Sequence, residues 1–314
     1  MPKTIDAKQS GKTSPPSQPK RAPKAISKPD RKKFTSESST DDTPAVSNPT
    51  RCGLSRWASM KTQSSFSVAE APFRPKLYFA AALFSTRECI YNVELTNYLE
   101  TKGYPVMLPQ RDGFEFNVEW QTVLMKEMFE DEEERSKAIS WVIYLTDIGR
   151  FLYDSDVVIA NMDEPLDPGV IVECMVAKEM GKPVIQYRTD SRGPHGGMGD
   201  CHKGMHWFPM FPCDQFIFMP TLMFGNSKNV HSFYEACTEE IDKACQELKP
   251  KSDEHHHDNM THHAKEIVRL AKMILDGAPD LTSMSSLKKI LKNYVAMKTE
   301  LEAFAPIIKY RMTY

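Results

Sequence analysis

The chain has 314 residues, with 40 Lys and Arg against 42 Asp and Glu, a formal net charge of −2. Such a balance excludes a uniformly basic nucleic-acid binder, and no run approaches the roughly 18 consecutive apolar residues that a membrane span needs. The neutral total is a cancellation: residues 1–60 hold 12 Lys and Arg against 5 Asp and Glu, or +7, so the remainder carries −9.

Residues 1–72 contain nine of the 22 prolines among many Ser, Thr and Lys, with neither helical nor strand periodicity. This composition cannot bury enough apolar surface to offset chain ordering, so a disordered basic tail is expected. The start lacks the apolar stretch of a secretory signal. It is basic and Ser-rich, as organelle transit peptides are, but contains Asp6 and little Arg. Seven irregularly spaced cysteines without a Cys-x-x-Cys suggest reduced thiols in an intracellular, cytoplasmic protein.

From Leu77 to Phe84 an apolar, aromatic-rich run predicts a buried strand. Ser85-Thr86-Arg87-Glu88 then opens a helix that Gly103 ends, and Pro105–Pro109 is a short strand. Residues 118–139 predict a helix with the acidic run Glu130–Glu134 on its solvated face, and Asp147–Tyr153 predicts a short helical piece. Asp156–Ala160 predicts a second buried strand, Val170–Met180 a helix ended by Gly181, and Pro183–Tyr187 a third strand. The alternation implies an α/β fold, a Rossmann- or flavodoxin-like parallel sheet with helices on both faces. Residues 191–228, rich in Gly, Pro, Met and Trp, predict a long ordered loop. Amphipathic segments at 233–248, 264–275 and 284–304 predict helices, the last two as a hairpin appended to the α/β unit. The expected organisation is a tail over 1–72, an α/β domain over 73–248 and a helical extension over 249–314.

In such sheets ligands bind beyond the carboxyl ends of the strands. One segment there is rich in chemistry: Asn161-Met162-Asp163-Glu164-Pro165-Leu166-Asp167-Pro168-Gly169, followed by Glu173. Gly169 permits a tight turn into the helix, and Asp167 lies at its N-cap position or just before it, where free amides and the helix dipole favour a carboxylate. Glu173 is surrounded in sequence by Val170, Ile171, Val172, Cys174, Met175, Val176 and Ala177. A carboxylate in so apolar a helix is buried with partners or faces a cavity. A buried, partnered carboxylate suits nucleophilic glycoside chemistry, in which it traps an oxocarbenium-like anomeric carbon while a second acid protonates the leaving group. Asp147 and Asp167 are the candidate acids.

Leu77-Tyr78-Phe79-Ala80-Ala81-Ala82-Leu83-Phe84-Ser85 with Glu88 and Asn92, Pro109-Gln110-Arg111-Asp112-Gly113, Asp156–Ala160, Asp167-Pro168-Gly169 with Glu173, Gly181–Ile185 and Asp190-Ser191-Arg192 resemble, in order, the motifs of nucleoside 2-deoxyribosyltransferases. The resemblance covers about residues 76–226. It implies that Glu173 attacks the deoxyribose anomeric carbon, that Tyr78 orients it, and that Asp147 and Asp167 hold the nucleobase and assist its protonation. It further implies two inverting half-reactions with net retention, substrate contacts from Phe84, Gly169, Thr221 and Asn226, no cofactor or metal, deoxynucleosides and free nucleobases as partners, and a homo-oligomer. A deoxynucleoside 5′-monophosphate glycosidase of the same superfamily and a non-catalytic nucleotide-binding scaffold are the alternatives. The sequence departs from the family at Ala82, where the family has proline, and at Thr221-Leu222-Met223, where the family has an Asn reaching a neighbouring subunit's sugar site.

Other clusters are weaker. His255, His256, His257, His262 and His263 lie in a polar break, and Cys201, His202, His206 and Cys213 match no standard zinc spacing. Cys174 points about 100° away from Glu173 on the helix and reads as core. Lys288, Lys289 and Lys292 read as a solvated helix face.

Overall fold

A computed structural model describes residues 73–115, 123–197, 199–221, 230–250, 259–276, 281 and 283–305, all within the unit Val68–Tyr314. The expected tail over 1–72, Asn226, His255–His257 and the terminal Tyr314 lie outside the described residues.

Five parallel strands form the sheet: β1 (Leu77–Ala80), β2 (Val106–Met107), β3 (Val157–Asn161), β4 (Val184–Arg188) and β5 (Gln215–Phe218), in the order β2-β1-β3-β4-β5. This is a flavodoxin-like order, in which the direction of strand addition reverses between β1 and β3 and opens a crevice at their carboxyl ends. The helices are α1 (Thr86–Thr101), the short α2 (Pro109–Asp112) and α3 (Met125–Met128), α4 (Glu132–Thr146), α5 (Pro168–Glu179), α6 (Val230–Leu248), α7 (His262–Leu275) and α8 (Met284–Phe304).

Strand residues alternate between two buried layers, which is why the strands read as unbroken apolar runs. Leu77, Phe79, Val157, Ile159, Ile185 and Tyr187 face α1 and α6. Tyr78, Ala80, Val158, Ala160 and Val184 face the opposite layer, built from α4, α5, α7 and α8. The last two helices are continuous with this core: Ile267, Leu270 and Ile274 of α7 and Leu287, Ile290 and Leu291 of α8 are buried in it.

Local chemistry explains the element boundaries. Ser85 caps α1 in a reciprocal box with Glu88: the Ser85 side chain accepts from Glu88 N (3.3 Å), and Glu88 Oε2 accepts from Ser85 N (2.8 Å). Asn92, 2 % exposed, donates to Ala82 O (3.0 Å) and to Gln110 Oε1 (2.9 Å), tying the exit of β1 to α2.

Two expectations are corrected. Within the described part of the segment expected as a helix over 118–139 there are two, α3 and α4, separated at Phe129–Asp131, and α4 runs on to Thr146. The loop expected over 191–228 contains β5, whose four residues are half-buried at the sheet edge and pair with Ile185–Arg188.

Candidate active site

Glu173 lies in the middle of α5, on the side turned toward β1. Tyr78, fully buried on β1, donates from its phenol to Glu173 Oε1 at 2.7 Å. Glu173 is enclosed as an interior group is, yet part of its surface stays open, as expected of a carboxyl on the floor of a recess. Burial pushes its pKa up to about 8; the Tyr78 hydrogen bond opposes this, and the charges of Asp167 and Glu115 reinforce it. The Tyr78 phenol is pushed well up by burial, then by Glu173 and Asp147.

Asp147 follows α4 directly and opens a π-helical segment, Asp147–Leu152. Widened turns of this kind redirect side chains and recur at functional sites. Asp147 is 7 % exposed, and its carboxyl is held well above the usual range, by burial first and then by Glu115 and Glu173. Glu115, in the loop after α2, lies near Asp147 and helps to hold its carboxyl up. Nothing in the sequence motifs singles Glu115 out; the only signal is Gly113 two residues before it. A Cβ at Gly113 would lie 2.5 Å from Glu115 Oε2, 2.6 Å from Pro109 O and 3.3 Å from Asp147 Oδ1.

Asp167 occupies the N-cap position of α5, as expected, but its side chain makes no capping hydrogen bond. It folds over the helix start instead, where a Cβ at Gly169 would come 2.9 Å from its Oδ2. The carboxylate is thereby left for another partner. Phe84 lies on the loop leaving β1 with its ring 80 % exposed. Thr221 is exposed after β5 and donates its backbone N–H to Thr189 O (2.7 Å), beside the exit of β4.

The structure thus gathers Tyr78, Asp147, Asp167 and Glu173 at one place and adds Glu115. Other acids of the same motifs hold the frame. Asp163 accepts from Thr189 N (2.6 Å), Thr189 Oγ1 and Asp190 N (2.9 Å), joining the exits of β3 and β4. Asp190 accepts from Arg188, Arg192 N and Glu164 N; burial would raise its carboxyl, but these donors hold it below the usual range. Arg111 donates to Val106 O (2.7 Å), and Asp112 accepts from Leu108 N (2.9 Å), fixing the loop that carries Gly113 and Glu115.

Chemically, the recess brings together four acids, Glu115, Asp147, Asp167 and Glu173, in unlike surroundings. Glu173 has a phenol donor that favours its ionised form, while Asp147 faces another carboxyl that favours retention of a proton. One carboxylate and one protonated acid side by side can displace a leaving group from carbon and protonate it. Cys174, next to Glu173, is fully buried, and burial pushes its thiol to about 12, so it belongs to the core as its helical direction predicted. Cys201 Sγ lies 3.3 Å from the ring of its neighbour His202, and His206 packs against His195, Trp207 and Phe208. Among the described residues no helix is long and apolar enough to cross a membrane.

The model of the nucleoside 2-deoxyribosyltransferase family matches residues 77–229, which span β1 to β5 and every acid of the recess. A solved structure titled as a conserved protein from Enterococcus faecalis V583 is 25 % identical, over 55 % of this chain and 99 % of that one, with a TM-score of 0.31. No curated protein matches the chain. Residues 77–229 are therefore a domain of the nucleoside 2-deoxyribosyltransferase family, whose members act on nucleosides and nucleobases.

Proposed function

We propose that the chain transfers a 2-deoxyribosyl group between nucleobases through a covalent ester on Glu173. The observation that carries this reading is the 2.7 Å hydrogen bond from Tyr78 to Glu173 inside an otherwise apolar stretch of α5, beside a second acid, Asp147, whose carboxyl burial and neighbouring charges hold well above the usual range. Glu173 attacks C1′ as the bond to the first base breaks, and Asp147 gives that base its proton, with Asp167 holding the base. The second base attacks from the opposite face, so the two inversions retain configuration at the sugar. Water in place of the second base gives hydrolysis.

The ionisation states support this order. Glu173 must be anionic to attack and loses its proton near pH 8 in the free site; the Asp147 carboxyl is held well above the usual carboxylate range by burial, Glu115 and Glu173. Activity therefore rises with pH through the Glu173 transition and falls when Asp147 is deprotonated.

Incubation of the full chain with a 2′-deoxynucleoside, with and without a second free base, tests the reading. Base exchange is the expected result, and sugar release alone makes the chain a hydrolase. Neither exchange nor release across purine and pyrimidine substrates refutes the proposal. A 2-fluoro-2-deoxyribosyl substrate should leave a covalent mass on Glu173; an adduct on another residue overturns the assigned nucleophile.

A further inference from the structure

We infer that the turn after β4, from Arg188 to Arg192, binds a phosphate group, which makes a phosphorylated deoxynucleoside the preferred substrate of the adjoining recess. The substrate assignment rests on the deoxyribosyl-transfer reading; the site rests on the turn itself.

Alternation along β4 places Val184 in the layer that holds Tyr78, and Arg188, four residues on, takes the same side at the carboxyl end of the strand. Arg188 is fully buried. Its Nε and Nη2 donate to Asp190 Oδ1 at 3.3 and 2.9 Å, and Nη2 also donates to Arg192 O. Nη1 is enclosed and has no acceptor among the described residues. Ser191, between the two residues that grip the guanidinium, has an enclosed hydroxyl that likewise lacks a partner among them. A buried guanidinium N–H without an acceptor has given up its hydration for nothing, which a folded chain rarely tolerates. Two such groups in one turn mark a place for an acceptor from outside the chain.

The charge of the turn suits an anion. Asp190 stands between two guanidinium groups: Oδ1 accepts from Arg188 and from Arg192 N (2.9 Å), and Oδ2 accepts from Arg192 Nη2 (3.2 Å) and Glu164 N (2.5 Å). One carboxylate against two guanidinium groups leaves one positive charge in excess. The acids that lead out of β3 are turned to the chain, Asp163 accepting from Thr189 N and Asp190 N, and Glu164 from Leu166 N (3.1 Å). Lys203 adds a cation at this end of the sheet, its Nζ 6.0 Å from the ring centre of Phe218, the β5 partner of Arg188. Asp200, near it in the chain, spends its carboxylate on His202 N and Gly204 N.

A phosphate ester brings several acceptor oxygens and a negative charge to a guanidinium and a hydroxyl, the pairing that gives strong charge-assisted hydrogen bonds. The family acts on nucleosides, and the anion that a nucleoside carries is a phosphate ester. Glu164, tied to Asp190, lies three residues before Asp167 on the loop from β3 to α5, so the turn and the acid recess share a wall. Beyond Arg192 the chain is exposed at Gly193, Gly196, Gly197 and Gly199, main chain without side chains that can give way as the group enters.

The test is isothermal titration of the full chain carrying Glu173→Gln, in which substrate persists, with 2′-deoxyuridine, 2′-deoxyuridine 5′-monophosphate and inorganic phosphate. The nucleotide should bind about tenfold or more tighter than the nucleoside. Equal affinity for the two overturns the inference, and inorganic phosphate bound as tightly as the nucleotide makes this a site for the free ion and overturns the substrate assignment. Arg188→Lys keeps a charge without the fork and should lose most of the preference; Ser191→Ala removes only a hydroxyl and should lose about threefold or more of it. A preference that survives either substitution in a folded chain overturns the site. If circular dichroism shows Arg188→Lys to be unfolded, Ser191→Ala decides. In the wild-type chain kcat/KM should favour the nucleotide by a similar factor. Turnover of the nucleoside without such a preference leaves the transfer reading standing and refutes the phosphate site. A chain that turns over neither refutes the transfer reading, and the titration still decides whether the turn binds phosphate.

Discussion

Replacing Glu173 by Gln should abolish transfer and stabilise the protein, by an amount that grows with pH. In the folded state the Glu173 carboxyl titrates near 8, against 4.5 for an ordinary glutamate. The folded chain therefore holds this proton more tightly than the unfolded chain does. The resulting stability is fully present below about pH 4.5 and is lost as pH rises through about 8. At 1.36 kcal/mol per pH unit, the loss at pH 7 is on the order of 3 kcal/mol. Gln keeps the shape and still accepts from the Tyr78 phenol, but has no proton to lose. It also removes a charge that acts on Asp147, an effect of the same sign. With roughly 2–4 °C of Tm per kcal/mol for a domain of this size, the variant should melt about 6–12 °C above wild type at pH 7 and close to it at pH 4.5. Thermal unfolding followed by circular dichroism between pH 4.5 and 8.5 measures the difference. A gap in Tm that does not widen with pH would refute the argument, because Glu173 would then ionise as freely in the fold as outside it. Such a gain at a reacting group is the expected exchange of stability for chemistry.

Two further outcomes follow from the same contacts. Tyr78→Phe removes the one donor that lowers the Glu173 transition, so the acid limb of the pH–rate profile should move to higher pH and activity at pH 7 should fall by about tenfold or more; an unmoved limb contradicts the assigned hydrogen bond. Gly149→Ala would place a Cβ 2.3 Å from the Ala271 Cβ and 3.2 Å from Ile267 O, forcing α7 outward at a cost of about 1–3 kcal/mol in chemical denaturation; full stability in that variant would mean the helix can yield without loss.

The strands that carry the site were legible because burial on both faces leaves its mark on every residue, as in Leu77–Ala80 and Val157–Ala160. Glu173 was legible for the opposite reason, as a charge in an apolar helix with no local excuse. Edge strand β5 was hidden because Gln215–Phe218 is short, half-buried and preceded by Gly- and Pro-rich chain, so its pairing with β4 decides its conformation and its composition does not. The π-helical turn at Asp147 leaves no periodic signature in six residues. Glu115 was invisible because its influence on Asp147, 32 positions later, is one that no local pattern encodes. Conversely, Glu88, Asn92, Asp112, Asp163 and Asp190, which sit in the same motifs, turn out to bond backbone and side chains of the frame.

The close approach at Gly149 also bears on where this α/β unit ends. The family match stops at residue 229, yet α7, beginning at His262, rests on the same π-helical turn that starts with Asp147. A version of the chain cut to the matched segment would keep every acid of the recess and lose the buttress behind one of them. Substitutions on α7, at Ala271 or Ile267, should therefore tune the proton affinity of Asp147 from outside the region by which the family is recognised. Variation in the tail of such a chain is a route to changing its pH response while the reacting residues stay fixed.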